Sequence, residues 1–394
     1  RFRLSTPSYV DIPRKIWANL TGMSAGRFSS EVYARRLAGA ASGAAAAELD
    51  GLVITPGYDL RYLIGSRAQT FERLTALVIP AGGTATLVVP RLELAALRES
   101  AAADLGVKVR DWVDGEDPYR LVAGALGGRA CAVTDSMPAL HLLPLAGVLG
   151  IPPVLATGVL APLRMAKDAA EIDVLRTAGA AIDRVHARVP QLLRPGRTEA
   201  QVAADITEAI VAEGHSEAAF IIVGSGPNGA DPHHECSDRE LQPGDIVVVD
   251  IGGPVEPGYN SDCTRTYSLG EPSTEIAAQY AVLQRAQAAA VAAVRPGVSA
   301  QDIDAAARDV LAEAGLAEYF VHRTGHGIGL SVHEEPYIVA GNDLPLAEGM
   351  AFSVEPGIYI PGRWGARIED IVIVTADGAS PMNARPHELT VVPL

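Results

Sequence analysis

The stretch VVVDIGGPVEPGYNSDCTRTY, residues 247–267, determines the architecture expected for the last third of the chain. Residues 245–251 are almost continuously apolar and residues 259–267 alternate in polarity, so each segment is typical of a strand. Between them lie residues that favour turns: Gly252, Gly253, Pro257 and Gly258. We therefore predict a β-hairpin that carries Asp250 on one arm and Asp262 on the other, where cross-strand neighbours lie about 5 Å apart.

Three further segments, RTGHGIGL, FSVEPGIY and ARIEDIV, add His326, Glu355 and Glu369 to this pair. A single acidic residue in such a place is more often a solvated turn residue. Asp250 ends a run of three valines and Glu355 follows Phe-Ser-Val, so these carboxylates need partners when they are buried. Two divalent ions would balance four carboxylates, with a neutral histidine as an orienting ligand. The set predicts a dinuclear metal hydrolase.

An internal repeat surrounds these segments. RPGRTEAQVAADITEAIVAEG at 194–214 matches RPGVSAQDIDAAARDVLAEAG at 295–315 without a gap, at an offset of 101 residues, and the same register aligns Gly224 with Gly325. Two unrelated alanine-rich helices could match by chance, but the shared RPG starts and terminal glycines disfavour that alternative. We infer two similar α/β halves related by a pseudo-two-fold axis, in which the glutamate pair repeats the aspartate pair.

The chain before the repeat has a different organisation. Short strand and helix patterns alternate from about Val32 to Leu160 and predict a small α/β domain. Strands are expected at 52–55, 76–80, 84–90, 132–135 and 153–155, and helices at 31–48 and 91–103. The pattern changes near Met165, which divides an N-terminal domain at 23–163 from a catalytic domain at 164–394. Residues 1–22 precede Met23, and we interpret them as an extension upstream of the natural start or added for expression.

Composition restricts the class of protein. The 394 residues are 48% hydrophobic, yet no apolar run approaches the roughly 20 residues that span a bilayer, so we expect a soluble chain without a membrane partner. The formal charge of −15, from 47 acidic and 32 basic residues, disfavours nonspecific nucleic-acid binding. Three cysteines without paired spacing favour a cytoplasmic location.

The five acidic and histidine segments resemble those of the pita-bread metallopeptidases, in the branch that contains Xaa-Pro dipeptidase (prolidase) and aminopeptidase P. YLIGS at 62–66 resembles an element of the creatinase-type N-terminal domain, and RMAKDAAEI resembles the entry to the pita-bread catalytic domain. The resemblance implies that Asp250, Asp262 and Glu369 hold one metal ion. It implies that Asp262, His326, Glu355 and Glu369 hold the other. The expected fold class is therefore α/β (α+β).

The resemblance also implies cofactors and partners. Oxygen-rich ligation with one imidazole suits two Mn²⁺ ions, with Zn²⁺, Co²⁺ and Fe²⁺ as alternatives. The expected substrates are short proline-containing peptides, and the expected assembly is a homodimer. Cys263 follows the second aspartate, at a position where the family often has Ser or Ile. We expect a thiol so close to the metals to make the protein sensitive to oxidants.

Three further histidines match the proline-specific branch: His233, His322 and His333. His233 lies 100 positions before His333, close to the repeat offset, so the two could flank one substrate. We expect His333 to stabilise a developing oxyanion and the other two to line a proline pocket. Glu355 is the expected acceptor of the proton from the attacking water.

Two neighbouring residues complete the candidate site. Arg367 lies two positions before Glu369, on the same face of a regular strand. It is expected to hold Glu369, to meet a substrate carboxylate, or to form a salt bridge with a structural role only. Tyr359, four residues after Glu355, is a further candidate for substrate contact.

The implied activity is hydrolysis of the peptide bond that precedes proline, in dipeptides or in longer peptides. Three other functions remain open on the sequence. A methionine aminopeptidase would share the ligands, but the N-terminal domain and the three histidines disfavour it. A creatinase-like C–N hydrolase, or a binding or scaffolding protein on this fold, would not need all five ligands.

Overall fold

The computed structural model describes residues 27–69 and 72–394, and the structural statements below refer to these residues. The chain divides into two compact units between Leu163 and Arg164. Residues 1–22, which we interpreted as an extension, lie outside the described residues. Within the described ranges, the helices are too short or too polar to cross a membrane.

The N-terminal unit is built on a mixed six-stranded sheet. In chain order its strands are β1 Gly51–Ile54, β2 Ala76–Pro80, β3 Thr86–Pro90, β4 Lys108–Trp112, β5 Cys131–Val133 and β6 Val154–Leu155. They are arranged β4-β3-β2-β1-β5-β6. The first three strands are buried throughout, as expected for continuous apolar runs that are covered on both faces.

Helices flank this sheet. They are α1 Ser30–Ala46, α2 Tyr58–Ile64, α3 Pro118–Leu126, α4 Ala139–Leu149 and, across the unit boundary, α5 Thr157–Met165. The α-helix expected at 91–103 is wrong, because the chain forms a 3₁₀ helix that ends at Leu97. Leu97 is the one buried residue of that segment, so no broad apolar face supports a longer helix.

The helices of the second unit confirm the internal repeat. They are α6 Ala169–Leu192, α7 Glu199–Ala212, α8 Thr274–Ala293 and α9 Ala300–Glu313. The start and the end of α9 each lie 101 residues after those of α7. The two RPG turns place Gly196 and Gly297 in the left-handed region, at φ of 84° and 86°, where other residues are strained. The same local sequence therefore folds the same way twice.

Each half of the second unit contributes one sheet. The first contains β7 Phe220–Ser225, β8 Ile246–Val255, β9 Tyr259–Leu269 and β17 Thr390–Val392, in the order β17-β9-β8-β7. The second contains β10 Gly325–Gly327, β11 Glu334–Ile338, β12 Ala351–Val354, β15 Asp370–Thr375 and β16 Gly378–Pro381, in the order β11-β10-β12-β15-β16. A short hairpin pairs β13 Gly357–Ile360 with β14 Trp364–Arg367. The mixed architecture with antiparallel sheets confirms the expected fold class.

The predicted hairpin is formed by β8 and β9, which pair continuously from Ile246 with Ser268 to Val255 with Tyr259. Within it Asp250 lies opposite Thr264, and Asp262 lies opposite Gly252. The two aspartates are therefore diagonal neighbours on one face of the sheet rather than directly opposed residues. This offset leaves room between them for the side chains of the second half.

The prediction of one continuous strand at 366–374 is wrong. The chain is interrupted at Ile368 and Glu369, and the two parts, β14 and β15, belong to different sheets. At the division, the amide of Glu369 donates to the carbonyl of Thr264 in β9, at 3.2 Å. The break therefore ties the second half to the hairpin of the first half.

Candidate metal centre

The structure brings the five predicted ligands together in the second unit. Asp262, His326 and Glu369 are buried, and each offers a ligand atom within 4.8 Å of those of the other two. The Nε2 atom of His326 lies 3.1 Å from Glu355 Oε1 and 3.7 Å from Asp262 Oδ2. Asp250 is 8% exposed and lines the same cavity as the other four.

Strand geometry explains this convergence. Glu355 directly follows β12 and Glu369 directly precedes β15, and the last pair of that ladder joins Val354 to Asp370. Both glutamates thus lie where one ladder ends against the aspartate hairpin. His326 is brought close by its glycine neighbours, since a Cβ atom on Gly325 would overlap the carbonyl oxygen of Ser353 in β12.

Two hydroxyl groups orient the ligands. Ser353 Oγ donates to Glu355 Oε1 at 3.0 Å and accepts from the amide of His326 at 3.0 Å. Thr264 Oγ1 donates to Glu369 Oε2 at 2.7 Å. The sequence reasoning missed both residues, although each is two positions from a ligand on a strand, a spacing that places both side chains on one face.

The imidazole of His326 is also oriented for metal binding. Its Nδ1 atom lies 3.2 Å from the carbonyl oxygen of Gly327. A carbonyl can only accept, so Nδ1 carries the proton and Nε2 presents a lone pair to the carboxylates. This is the tautomer that a metal-binding histidine needs.

One buried atom tests whether cations fit. Asp250 Oδ1 is shielded from solvent and has no hydrogen-bond partner among the described residues. An unpartnered carboxylate oxygen is costly to bury, and a cation would satisfy it. Burial and then the neighbouring carboxylates raise the pKa of Asp262 and of Glu369 well above their usual ranges. The donor set therefore fits divalent cations.

Glu355 differs from the other acids. Burial by itself would raise the pKa of Glu355, but the proximity of His326, and then of His322 and Arg367, lowers it to about 2. Glu355 is thus held ionised, with Arg367 Nε 4.0 Å from its Oε2.

Arg367 lies inside the centre and is 3% exposed. Its Nη2 donates to Asp250 Oδ2 at 2.5 Å, its Nε to Thr264 Oγ1 at 3.1 Å, and its Nη1 to the hydroxyl of Tyr359 at 2.6 Å. All three nitrogens therefore have protein partners, which favours ligand orientation over contact with a substrate carboxylate. Arg367 also adds a charge that the sequence argument did not count. Two divalent ions would leave the cluster with one net positive charge.

A cavity of about 700 Å³ opens above the ligands. The three predicted histidines line it together with Arg323 and with apolar side chains that the sequence reasoning did not single out: Ala219, Phe220, Ile222, Pro232 and Val332. Arg323 stacks over the ring of Tyr337, at 4.4 Å from its centroid. Isolated apolar residues in strands and loops carry no signal of pocket lining, so only the fold reveals them.

The histidines are not equivalent. His233 and His333 are exposed to the cavity, and the ring of His333 meets that of His326 edge to face, with centroids 4.1 Å apart. Partial burial and the neighbouring His326 lower the pKa of His333 to about 4, so it is neutral at physiological pH. His322 Nδ1 donates to the carbonyl of Arg323 at 2.7 Å, and its Nε2 accepts from Tyr359 at 2.8 Å. It therefore presents its ring, rather than an N–H group, to the cavity.

Two expectations need correction. Tyr359 is 3% exposed, and its hydroxyl lies between Arg367 and His322, so it supports these two residues rather than lining the cavity. Cys263 is fully buried, and burial raises the pKa of its thiol well above the usual range. Such a thiol is protonated and inaccessible, which argues against the expected sensitivity to oxidants.

Comparisons with known proteins agree with this geometry. Residues 173–376 match the profile of "Metallopeptidase family M24", and residues 36–165 match "Creatinase/Prolidase N-terminal domain". The chain is 74% identical over 374 residues to "Probable dipeptidase PepE" of Mycobacterium tuberculosis, covering 94% of this chain and 100% of that one.

Two further matches extend the comparison. The chain is 35% identical over 345 residues to "Xaa-Pro dipeptidase" of Lactobacillus helveticus, covering 85% of this chain and 93% of that one. A crystal structure of dipeptidase PepE from Mycobacterium ulcerans aligns with a TM-score of 0.92 and 76% identity, covering 94% of this chain and 100% of that one.

Proposed function

The chain belongs to metallopeptidase family M24, and on this premise we propose that it hydrolyses the peptide bond preceding proline in Xaa-Pro dipeptides. The observation that carries the proposal is the cluster of five ligands beneath a cavity lined by His233, His322 and His333. A relative with 35% identity is named Xaa-Pro dipeptidase, which supports the proline specificity.

We propose two divalent ions, with Mn²⁺ as the preferred metal. Asp250, Asp262 and Glu369 would hold one ion, and Asp262, His326, Glu355 and Glu369 the other. When bound, the ions would supply an activated water and polarise the scissile carbonyl.

The protein groups perform the remaining chemistry. Glu355 accepts a proton from the attacking water and delivers it to the proline nitrogen as the C–N bond breaks. His333 is neutral and exposed to the cavity. Its N–H group stabilises the negative charge that develops on the oxygen of the scissile carbonyl. Arg367 keeps Asp250 and Thr264 in place, and its charge favours the same oxyanion.

The cavity wall accounts for the choice of proline. Proline has no backbone N–H group, so a pocket must recognise its ring by shape and apolar contact. The ring of His322 and the side chain of Phe220 offer such surfaces, and His233 lines the same cavity.

We further propose a cytoplasmic homodimer. Exposed apolar side chains recur along the chain from α4 to β6 in the N-terminal unit: Leu140, Leu143, Ile151, Val154 and Leu155. Val154 and Leu155 form the strand β6 at the edge of the sheet. An exposed edge strand can pair with the same strand of a second copy. Sedimentation velocity of the wild type and of a Leu143→Glu, Leu155→Glu double variant tests this assembly. A wild type that sediments as a monomer would refute it.

The activity is tested with protein that is stripped by chelator and reloaded with Mn²⁺. We expect release of proline from Ala-Pro, little cleavage of Ala-Ala, and loss of activity when chelator is present. Chelator-insensitive cleavage would contradict the metal mechanism, and equal cleavage of Ala-Ala would contradict proline specificity.

Longer Xaa-Pro peptides are the second candidate substrates. The same assay with Ala-Pro-Ala distinguishes the two, because a dipeptidase releases proline only from Ala-Pro. Similar rates for Ala-Pro and Ala-Pro-Ala would favour an aminopeptidase. A protein that binds the ions and cleaves none of the three peptides would favour a binding function.

A further inference from the structure

Outside the metal centre, the first half contains a carboxylate that is completely buried. Glu199 is the first residue of α7 and has 0% exposure. One of its oxygens accepts from the amide of Ser225 at 2.8 Å and from its hydroxyl at 2.6 Å. The other accepts from the hydroxyl of Ser237 at 2.6 Å and from His234 Nε2 at 2.7 Å, while Asn228 Nδ2 lies 3.1 Å and 3.2 Å from the two oxygens.

These donors bracket a single segment of the chain. Ser225 ends β7, the 3₁₀ turn Gly226–Ala230 follows, and His234 and Ser237 lie just beyond it. Within this bracket lie Pro232 and His233, both of which line the cavity. Glu199 thus binds both ends of the segment that delivers His233.

The segment is also held from its other side. A Cβ atom on Gly365, in β14, would overlap the carbonyl oxygen of Gly229 in the 3₁₀ turn. The turn therefore lies between Glu199 and the strand that ends at Arg367. His233 itself is exposed, and its amide donates to Asp231 Oδ1 at 3.0 Å, so its position depends on the anchoring of its neighbours.

The charge of Glu199 suits an anchoring role. Burial alone would raise its pKa, but the hydrogen bonds from Ser225, Ser237 and His234 outweigh burial and lower it. A carboxylate that only accepts is matched by partners that donate. Since His234 Nε2 faces a carboxylate oxygen, that nitrogen carries the proton, and the adjacent backbone is fixed by a charge-assisted bond.

We propose that Glu199 and His234 are positioning residues that hold His233 at the cavity wall and thereby set the affinity for substrate. The inference rests on the proposed function, in which His233 lines the proline pocket. Neither residue belongs to the ligand cluster, so metal content should not depend on them. Their loss should act on KM more than on kcat.

The test compares two variants of one residue. His234→Leu removes the donor to Glu199, whereas His234→Gln keeps an amide donor at a similar reach. For Mn²⁺-loaded His234→Leu we expect KM for Ala-Pro to rise about tenfold, as for the loss of one charge-assisted hydrogen bond. Its kcat should stay within about threefold of the wild type, and His234→Gln should restore most of the affinity.

Glu199→Gln provides the larger perturbation, because it turns one acceptor into a donor that faces other donors. Glu235→Gln is the matched control, since it neutralises an exposed carboxylate in the same segment. A purely structural role would lower the melting temperature and leave KM at 25 °C unchanged.

Hydrogen–deuterium exchange separates this inference from the proposed function. Peptides covering 226–238 should exchange at least about tenfold faster in His234→Leu than in the wild type or His234→Gln. If the wild type fails to cleave Ala-Pro but His234→Leu still exchanges faster than the wild type, the proposed function is refuted and the anchoring role is sustained. Unchanged KM and unchanged exchange in His234→Leu would overturn the inference, as would a loss of bound metal.

Discussion

The two halves of the catalytic unit share a repeated helix, yet they build the metal centre differently. In the first half, Asp250 and Asp262 lie within one continuous hairpin. In the second half, Glu355 and Glu369 lie just beyond the end of a four-pair ladder. The hairpin provides a rigid face, and the interrupted ladder lets the chain turn its carboxylates towards that face. The halves are therefore complementary rather than duplicate.

The glycine-rich segments show the same contrast. The repeat offset of 101 residues aligns Ser225 with His326. His326 faces the ligand carboxylates, whereas Ser225 bonds to the buried Glu199 and accepts from Arg239 at 2.6 Å. One half uses this position for the metal and the other uses it for anchoring a loop. Each prediction below tests that division of roles.

The largest effect is expected from ligands that join the halves. Asp262→Asn and Glu369→Gln should each lower kcat/KM by roughly a thousandfold, because either change removes a charge and a shared ligand from both ions. Inductively coupled plasma analysis should show fewer than two Mn²⁺ ions per chain in both variants. Asp238→Asn, at an exposed position, serves as the control. Full metal content in one variant alone would show that the halves contribute unequally.

Arg367→Met tests a contact that crosses between the halves, since Arg367 of the second half holds Asp250 of the first. We expect kcat to fall about a hundredfold with both ions retained at saturating Mn²⁺, because the variant releases Asp250 from its ion pair and removes a buried positive charge from the centre. The control is Arg363→Met, which removes an exposed ion pair with Glu275 at the turn between β13 and β14. This variant should behave like the wild type. Loss of ions from Arg367→Met would instead assign Arg367 to ligand orientation alone.

The back of the first hairpin packs against a buried histidine, in contrast to the carboxylates on its front. His186 in α6 lies 2.9 Å from the hydroxyl of Tyr267 and 2.9 Å from the carbonyl of Cys263. Burial is the main cause that lowers its pKa to about 3, and Arg265 adds to the effect. In the unfolded chain His186 is protonated below a pKa near 6.5, whereas in the folded chain it stays neutral until the pH nears 3. The free energy of unfolding therefore falls as the pH drops below about 6.5.

Urea unfolding of metal-free wild type and His186→Gln at pH 7 and pH 5 checks this sign. Relative to the variant, the wild type should lose about 2 kcal/mol of unfolding free energy between the two pH values. Asp262 and Glu369 titrate in both proteins, and the comparison cancels their contribution. A difference between the two proteins that does not change with pH would contradict the neutral, buried state of His186.

The smallest effects are expected from the two orienting hydroxyls, one from each half. Thr264→Val and Ser353→Ala should each weaken Mn²⁺ binding about tenfold in competition with a chelating dye. Thr264 holds Glu369 and Ser353 holds Glu355, both ligands of the second half, so the two losses should be similar if the halves support these ligands equally. Thr207→Val, on the exposed face of α7, is the control. A loss in one variant only would assign ligand orientation to that half.

Sequence reasoning reached the fold through features that are local. The turn residues Pro257 and Gly258 indicate the hairpin, although Gly252 and Gly253, also expected in the turn, lie within β8. The ungapped match at offset 101 indicates the repeat, which the helices confirm. The five ligands lie in short segments where a charged residue interrupts apolar or glycine-rich sequence. Their convergence could therefore be expected from charge balance alone.

The remaining features depend on contacts between distant residues. Strand periodicity predicted Arg367 and Glu369 on one face, but the break at Ile368 ends that periodicity, and Arg367 pairs with Asp250, 117 positions away. Glu199 looks like an ordinary acid in the first turn of a helix, since its donors lie 26 to 38 positions along the chain. No local pattern identifies such partners.

The most direct test of the account is an anomalous difference map from crystals of the protein grown with Mn²⁺. We predict two peaks roughly 3.5–4 Å apart, both contacted by Asp262 from the first half and Glu369 from the second. A single peak held by carboxylates of one half, or no peak within the cluster, would contradict a metal pair shared between the halves.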